Sequence, residues 1–350
     1  MAAAGSSSSF ATRIVRWQKA HGRHGLPWQG TRDPYRIWIS EIMLQQTQVA
    51  TVLPYYERFV DRFPTAAALA ATEIDAVLAL WSGLGYYARG RNLHAAARDV
   101  AERFGGTFPT RFDDLVSLPG VGRSTAAAIA AFAGGERRAI LDGNVRRVLA
   151  RHAGIPGDPG SAATLAALWG EAESRLPKSE IEAYTQGMMD LGATLCTVRN
   201  PACPLCPVAA NCVALIENRV DELPGKRARK AAVHRAIAML VVLSRGEVLL
   251  EKRAPTGIWG GLWSLPEIRL GADPAAALRE TYGIEAAKVE PMEPFHHAFT
   301  HFTLEVSPWR IEARRAPAIA AEKAAIWLAL ADLPGCALPS PVRKLLARAS

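Results

Sequence analysis

The chain has 350 residues, 49% hydrophobic and 21% charged, more than one core usually needs, which predicts two or three domains. No apolar run of about 18 residues is free of charge and proline, and the N-terminus lacks a signal core with a cleavage pattern, so neither a membrane span nor export is expected and a cytoplasmic protein is the default. The net charge of +8 lies mostly beyond residue 225, five cations being Lys226, Arg227, Arg229, Lys230 and Arg235, and suits either a polyanionic partner or a solvated connector.

Residues 1–12, small and polar, read as a disordered lead-in. From 13 to 222 apolar residues recur at three-to-four spacing between Pro and Gly breaks, which predicts an all-α domain. Within it, Glu41 of PYRIWISEIMLQQTQ is flanked by Trp38, Ile39, Ile42, Met43 and Leu44. Such flanks predict a desolvated carboxyl that favours its acid form, the alternative being a surface glutamate in an ion pair.

Further along, LPGVGRSTAAAIAAF places a glycine turn, 118–122, ahead of a small-residue helix. Gly120 and Gly122 are expected to take positive φ and let the backbone approach something bulky, while the helix N-terminus and Arg123 would receive phosphate. A glycine turn can equally join any two helices. Asp142 in ILDGNVRRVLAR reads as a helix N-cap. A capping carboxylate stays ionised, so a second role is compatible with it.

Cys196, Cys203, Cys206 and Cys212 form C-x6-C-x2-C-x5-C. Ligand count alone admits zinc or an iron–sulfur cluster; the single C-x2-C knuckle, where a zinc ribbon has two, tilts towards a cubane cluster. Residues 223–234 read as a basic linker. Beyond it AIAMLVVLSRGEVLLEKR predicts two strands around Ser-Arg-Gly, HFTLEVSPWRIEARR more strand, and AAALRETYG and SPVRKLLARA helices, an α+β domain over 235–350.

The cysteine spacing, with LPGVG and SEIMLQQTQV, resembles the endonuclease III-like, helix-hairpin-helix DNA glycosylases with a [4Fe–4S] loop at 196–212, and among them the adenine-specific, MutY-type branch. Bifunctional relatives, which also nick the strand, carry a lysine nucleophile where this chain has Ser124. Arg146 stands where some members have lysine, and an arginine is too basic to serve as an amine nucleophile. The resemblance therefore implies a monofunctional enzyme that removes adenine mispaired with 8-oxoguanine, or with guanine, from double-stranded DNA, acting as a monomer.

Purine excision needs one neutral and one ionised carboxyl group. Carried over, Glu41 is the general acid, Asp142 steadies the oxocarbenium sugar, and Asn144 positions water or sugar. The resemblance assigns Gln45, Gln46, Thr47, Leu84 and Tyr86 to intercalation and strand probing, although Leu84 and the tyrosine also suit a core. Trp28 and Gln186 would hold the adenine. The cluster's four cysteine ligands would brace a DNA-binding loop.

GIWGGLWSLPE resembles a Nudix domain: Gly261 and Glu267 keep the opening G-x5-E, but Ala275 and Ala276 stand where Arg-Glu is expected and no Glu-Glu pair follows. Without clustered carboxylates there is no magnesium site, so this domain is expected to bind rather than hydrolyse. Phe299, Thr300 and His301 resemble the Phe-Ser-His lesion-reading turn with threonine for serine; an ordinary turn is the plainer reading. The rival functions are a bifunctional glycosylase–lyase acting on oxidised pyrimidines, and a non-enzymatic DNA-binding module or a nucleotide hydrolase using the C-terminal domain.

Overall fold

The computed structural model describes residues 9–225, 233–299, 302–314 and 324–349. In chain order the helices begin with α1 (Phe10–His21), α2 (Pro34–Leu44), α3 (Val49–Arg62), α4 (Ala66–Ala70), α5 (Ile74–Trp81) and α6 (Ala88–Phe104). Then come α7 (Phe112–Val116), α8 (Arg123–Gly134), α9 (Gly143–Ala153), α10 (Ala162–Ser174), α11 (Ile181–Thr194) and α12 (Val213–Ile216). The remainder runs β1 (Val233–Ser244), β2 (Glu247–Lys252), β3 (Trp263–Ser264), β4 (Glu267–Ile268), α13 (Pro274–Tyr282), β5 (Ala286–Pro291), β6 (Phe295–Ala298), β7 (Phe302–Ala313), β8 (Ala325–Ala329) and α14 (Ser340–Ala349).

These elements form two compact units, one of residues 1–70 and 95–229, the other of residues 71–94 and 230–350. The first is helical. Helix α1 begins at Phe10, inside the stretch expected as lead-in, because Ser9 Oγ accepts the Thr12 N–H at 3.2 Å and Ala11, Ile14 and Gln18 are buried. The alanine run of α8, Ala126 to Ala131, is wholly buried, and α2, α7 and α11 all pack against that helix. Methyl side chains at five of these six positions, Ile129 being the sixth, let several helices close on one axis. The expected linker also starts late, since Leu223 is buried and its carbonyl accepts Arg151 Nε at 2.8 Å.

The second unit is built on a mixed sheet of eight strands among the described residues. Strands β1 and β7 pair in parallel from Val233↔Phe302 to Leu243↔Glu312, while β2 and β4 lie antiparallel to β1, and β5 and β6 antiparallel to β7. The β1–β2 turn falls where Ser-Arg-Gly predicts it, with Arg245 at φ 49° and Gly246 at φ 81°. Met239 and Val241 face a core shared with Val342, Leu345 and Leu346 of α14, whereas Leu240 and Val242 face another shared with Leu278 of α13. Both faces are covered, which is why β1 is a continuous apolar run rather than an alternating one.

Residues 71–94, read from sequence as part of the helical domain, belong to this second unit. Leu78 of α5 is fully buried in the α14-side core, Asp75 is bonded to Lys252 Nζ and accepts Trp263 Nε1 at 3.2 Å, and Ser82 Oγ donates to the Leu338 carbonyl at 2.7 Å. Helix α5 is apolar on more than one side, so sequence periodicity does not say what it packs on.

Adjacent residues on a doubly covered strand should be equally intolerant of truncation. Leu249→Ala and Leu250→Ala, from opposite faces of β2, should each cost about 2–5 kcal/mol in chemical unfolding; a sheet open on one side would spare one of the two.

Candidate active site

Helix α2 is started by Asp33, whose Oδ1 accepts the Tyr35 N–H at 2.9 Å, with Pro34 in the first turn. Tyr35, Ile37, Trp38, Ile39, Ser40, Ile42 and Met43 are all buried. Glu41 is half-buried and lines a cleft of about 1820 Å³, as does Asp142. Burial, and then the charge of Asp142, push the Glu41 carboxyl from 4.5 up to about 8. A carboxyl group so desolvated, with a second one beside it, keeps its proton at neutral pH.

Asp142 caps α9, its Oδ1 accepting the Val145 N–H at 2.7 Å. Burial raises its pKa, opposed by the Val145 and Asn144 amides and by Arg147 and Arg146. Hydrogen bonds to the carboxylate and two neighbouring guanidinium groups thus offset part of the cost that burial places on its charged form. Its approach is held by Ser124, whose Oγ accepts the Leu141 N–H at 2.9 Å, and Arg146 Nε donates to the Leu141 carbonyl at 3.2 Å.

Asn144 also lines the cleft, and its Oδ1 accepts Arg147 Nη2 at 2.8 Å. Arg147 was not singled out by the sequence reading. It also donates to the carbonyls of Gly192 at 2.7 Å and Cys196 at 2.6 Å. A Cβ on Gly192 would stand 2.6 Å from Asn144 Cβ, so α11 and α9 can touch here only through a glycine. Arg151, one turn beyond Arg147, is 3% exposed and donates to the Thr197 carbonyl at 2.7 Å and Cys196 Sγ at 3.4 Å. Two arginines four apart on a helix were the available sequence signal for a buried joint.

The glycine turn differs in part from expectation. Gly120 has φ 76°, as a left-handed turn residue should, but Gly122 is extended at φ −84° and serves as the uncapped N-terminus of α8. Its missing side chain leaves the first amides of α8 uncovered. Arg123 is not held out for phosphate: its guanidinium pairs with Glu173 and lies 3.8 Å from the centre of the Trp169 ring.

Trp28 and Gln186 both line the cleft. Trp28 meets Tyr56 edge-on at 5.1 Å, and Gln186 Nε2 donates to Asp190 Oδ1 at 2.8 Å. Asp190, wholly buried and missed by the sequence reading, also accepts Arg23 N at 2.9 Å and Arg23 Nε at 2.6 Å, fixing the loop before Trp28. Gln45 ends α2 and bonds Thr125 Oγ1 at 3.3 Å, while Thr47 Oγ donates to the Gln45 carbonyl at 3.4 Å. Gln46 is exposed at φ 58°. In the second unit Tyr86 is likewise exposed, at φ 49°. Both carry the left-handed backbone that L-residues adopt reluctantly, a mark of positions shaped for a task. Leu84, by contrast, is 6% exposed and packs inward instead of presenting a wedge. Phe299 stacks on Phe302 at 4.3 Å; Thr300 and His301 lie outside the described residues.

Cys196, Cys203, Cys206 and Cys212 line a single small cavity with Val148, Leu191 and Val208, and all four are free thiols. The sulfurs lie close enough to perturb one another: burial raises the Cys206 thiol to about 11, with Cys196, Cys212 and Cys203 adding to the rise. No group of three or more His, Cys, Asp or Glu side chains among the described residues is gathered tightly enough for a single metal ion. Nor is any described helix long and apolar enough to cross a membrane.

Comparison with known proteins finds a family for each part of the chain, the first match running through residues 71–94 as the sequence reading had them. The family model described as "HhH-GPD superfamily base excision DNA repair protein" matches residues 39–173, and "NUDIX domain" matches residues 238–348. An adenine DNA glycosylase of Buchnera aphidicola subsp. Schizaphis graminum is 36% identical over 338 residues, 96% of this chain and 97% of the relative. That of Homo sapiens is 30% identical over 403 residues, 97% of this chain and 73% of the relative. The structure of a thermostable thymine-DNA glycosylase aligns with TM-score 0.54 at 30% identity, over 59% of this chain and 95% of that one. A non-covalent endonuclease III–DNA complex shares the fold, with TM-score 0.51 at 22% identity over 59% of this chain and 94% of that one.

The raised carboxyl carries a stability cost of predictable sign. Between pH 4.5 and about 8 folded Glu41 holds a proton that the unfolded chain releases, so the penalty grows as pH rises through that window and is constant above it. Glu41→Gln should therefore melt no higher than the parent near pH 4 and several degrees higher near pH 8, at about 2–4 °C per kcal/mol. Melting curves across pH check this; an equal shift at both ends would assign it to packing instead.

Proposed function

The chain belongs to the adenine DNA glycosylase family, and from that premise we propose that it hydrolyses the N-glycosidic bond of adenine opposite 8-oxoguanine, or opposite guanine, in duplex DNA without efficient strand cleavage. Its general class is a DNA glycosylase of base excision repair. The observation that carries the reading is the shared cleft of Glu41 and Asp142, one carboxyl kept neutral by burial and the other given amide and guanidinium partners that favour its charged form.

Glu41 donates its proton to a ring nitrogen of the extruded adenine, making the base a better leaving group. As the C–N bond lengthens, positive charge gathers on the sugar, and the Asp142 carboxylate, fixed by the Val145 amide, stands ready to stabilise it. Water then adds at the anomeric carbon, its proton passing to a carboxylate, and Asn144, fixed by Arg147, orients it. Gln186 and Trp28 face the base from the cleft wall.

Removing a base from the stack leaves a gap, and the exposed Gln46 is the candidate in the helical unit to fill it, while the exposed Tyr86 is the strand-probing candidate of the second unit. The uncovered amides of α8, behind the Gly120 turn, suit a backbone phosphate. Where the bifunctional relatives have lysine, Ser124 offers a hydroxyl already bonded to Leu141, which cannot form a Schiff base.

Cys196, Cys203, Cys206 and Cys212 would hold a [4Fe–4S] cluster, which when bound braces the loop and does no chemistry on the sugar. Their fit rests on four thiols around one cavity with the Arg151 guanidinium on Cys196 Sγ, a cation suited to a net-negative cluster. A cluster that gives each thiolate its own iron needs no gathering around one ion. The second unit is read as the lesion-recognition module. Glu267, the retained carboxylate of its hydrolase-like box, is bound to Arg253 at 2.6 Å, and Ala275 and Ala276 bring no further carboxylate.

Single-turnover excision on duplexes with adenine opposite 8-oxoguanine, G or T tests the reading, with strand scission expected only after alkali. Glu41→Gln and Asp142→Asn should each lose about 10²–10⁴-fold in rate while retaining duplex binding; a near-parental rate in either removes its role. The parent rate should fall about tenfold per pH unit above about 8, as the Glu41 proton is lost. Borohydride trapping on abasic DNA should capture little protein, and efficient capture would favour the lyase instead.

A further inference from the structure

We propose that Trp259 is a positioning residue for lesion discrimination, holding the strand-probing turn at Tyr86 and the aromatic Phe299 in one fixed arrangement. This rests on reading the second unit as the lesion-recognition module. Trp259 is 6% exposed and has φ 53°, a conformation that a bulky residue keeps only where its surroundings over-determine it. Its ring lies 5.8 Å from Phe299 and 6.1 Å from His297. Phe299 in turn stacks on Phe302, and its N–H donates to the Phe302 carbonyl at 2.8 Å.

The same apolar cluster takes in Leu78 and Tyr87. The Tyr87 hydroxyl accepts the Gly83 N–H at 3.4 Å, bracing the turn from within. Arg89 Nη2 donates to the carbonyls of Leu84 and Gly85 at 3.4 and 3.3 Å, with its guanidinium 5.5 Å from the Tyr86 ring centre. Tyr86 therefore stands on a stiff turn whose apolar foot is Tyr87. Next to Trp259, Arg91 Nη1 donates to the Gly260 carbonyl at 2.6 Å, fixing the loop to the segment that carries the tyrosines. One buried ring thus packs in a single core with the foot of the probing turn on one hand and with Phe299 on the other. An aromatic core at this joint makes the two readers move as one body, because a close-packed cluster does not deform continuously.

The test uses the full chain in a Glu41→Gln background, so that duplexes with adenine opposite 8-oxoguanine or opposite guanine can be titrated without cleavage. Trp259→Leu should weaken binding to the 8-oxoguanine duplex about tenfold and to the guanine duplex much less, and Trp259→Phe should restore most of the difference. Combined with Tyr86→Ala, Trp259→Leu should add little to the loss Tyr86→Ala causes alone, since a purely structural role would give additive losses. Equal weakening on both duplexes, additivity, or no effect while the parent discriminates overturns the proposal alone. If the parent binds both duplexes equally, the recognition reading and this proposal fall together. Should Trp259→Leu not fold, Phe299→Leu takes its place in the same comparison with Tyr86→Ala, non-additive loss on the 8-oxoguanine duplex supporting the proposal and additive loss overturning it.

Discussion

Two carboxyl groups, both desolvated by burial, line one cleft, and the cost of charging Glu41 there is the constraint on which the proposed chemistry depends. A proton on Glu41 relieves it. Burial among the apolar flanks of α2 favours the neutral form of Glu41, while the amides and arginines at the start of α9 counter part of the burial cost on the anion of Asp142. The two residues are chemically alike, and environment alone sets them apart.

Such a difference persists only if the two carboxyls cannot rearrange, and α9 supplies the stiffness. Its first residues carry Asp142 and Asn144; one turn on, Arg147 joins Asn144 to the carbonyls of Gly192 and Cys196; another turn on, Arg151 reaches Thr197 and the Cys196 sulfur. Buried guanidinium groups are tolerated here because backbone carbonyls accept most of their N–H bonds. A helix that begins in the cleft and ends against the cysteine loop gives that loop a mechanical relation to the reaction centre.

The second unit solves a different problem. Its sheet is covered on both faces, so its interior is committed to folding and its chemistry is left to loops and edges. The retained Glu267 is paired with Arg253. Segment 71–94 joins this frame through Asp75, Leu78 and Ser82, carrying the exposed Tyr86 with it.

Local chemistry was readable from residues alone: the apolar setting of Glu41, the capping carboxylate Asp142, the Ser-Arg-Gly hairpin turn and the cysteine spacing all depend on near neighbours in the chain. The buried Leu84, the ion-paired Arg123 and the extended Gly122 were not, because a leucine, an arginine and a glycine look the same in sequence whichever partner they meet. The Arg147 bridge and the membership of 71–94 in the second unit needed contacts between residues dozens to more than a hundred positions apart. Sequence thus determined which side chains could do the chemistry and which stretches were helix or strand, since those follow from short-range periodicity and intrinsic pKa. Tertiary structure decided which carboxyl keeps the proton and which cations are already engaged, since desolvation and Coulomb energy depend on distances through space.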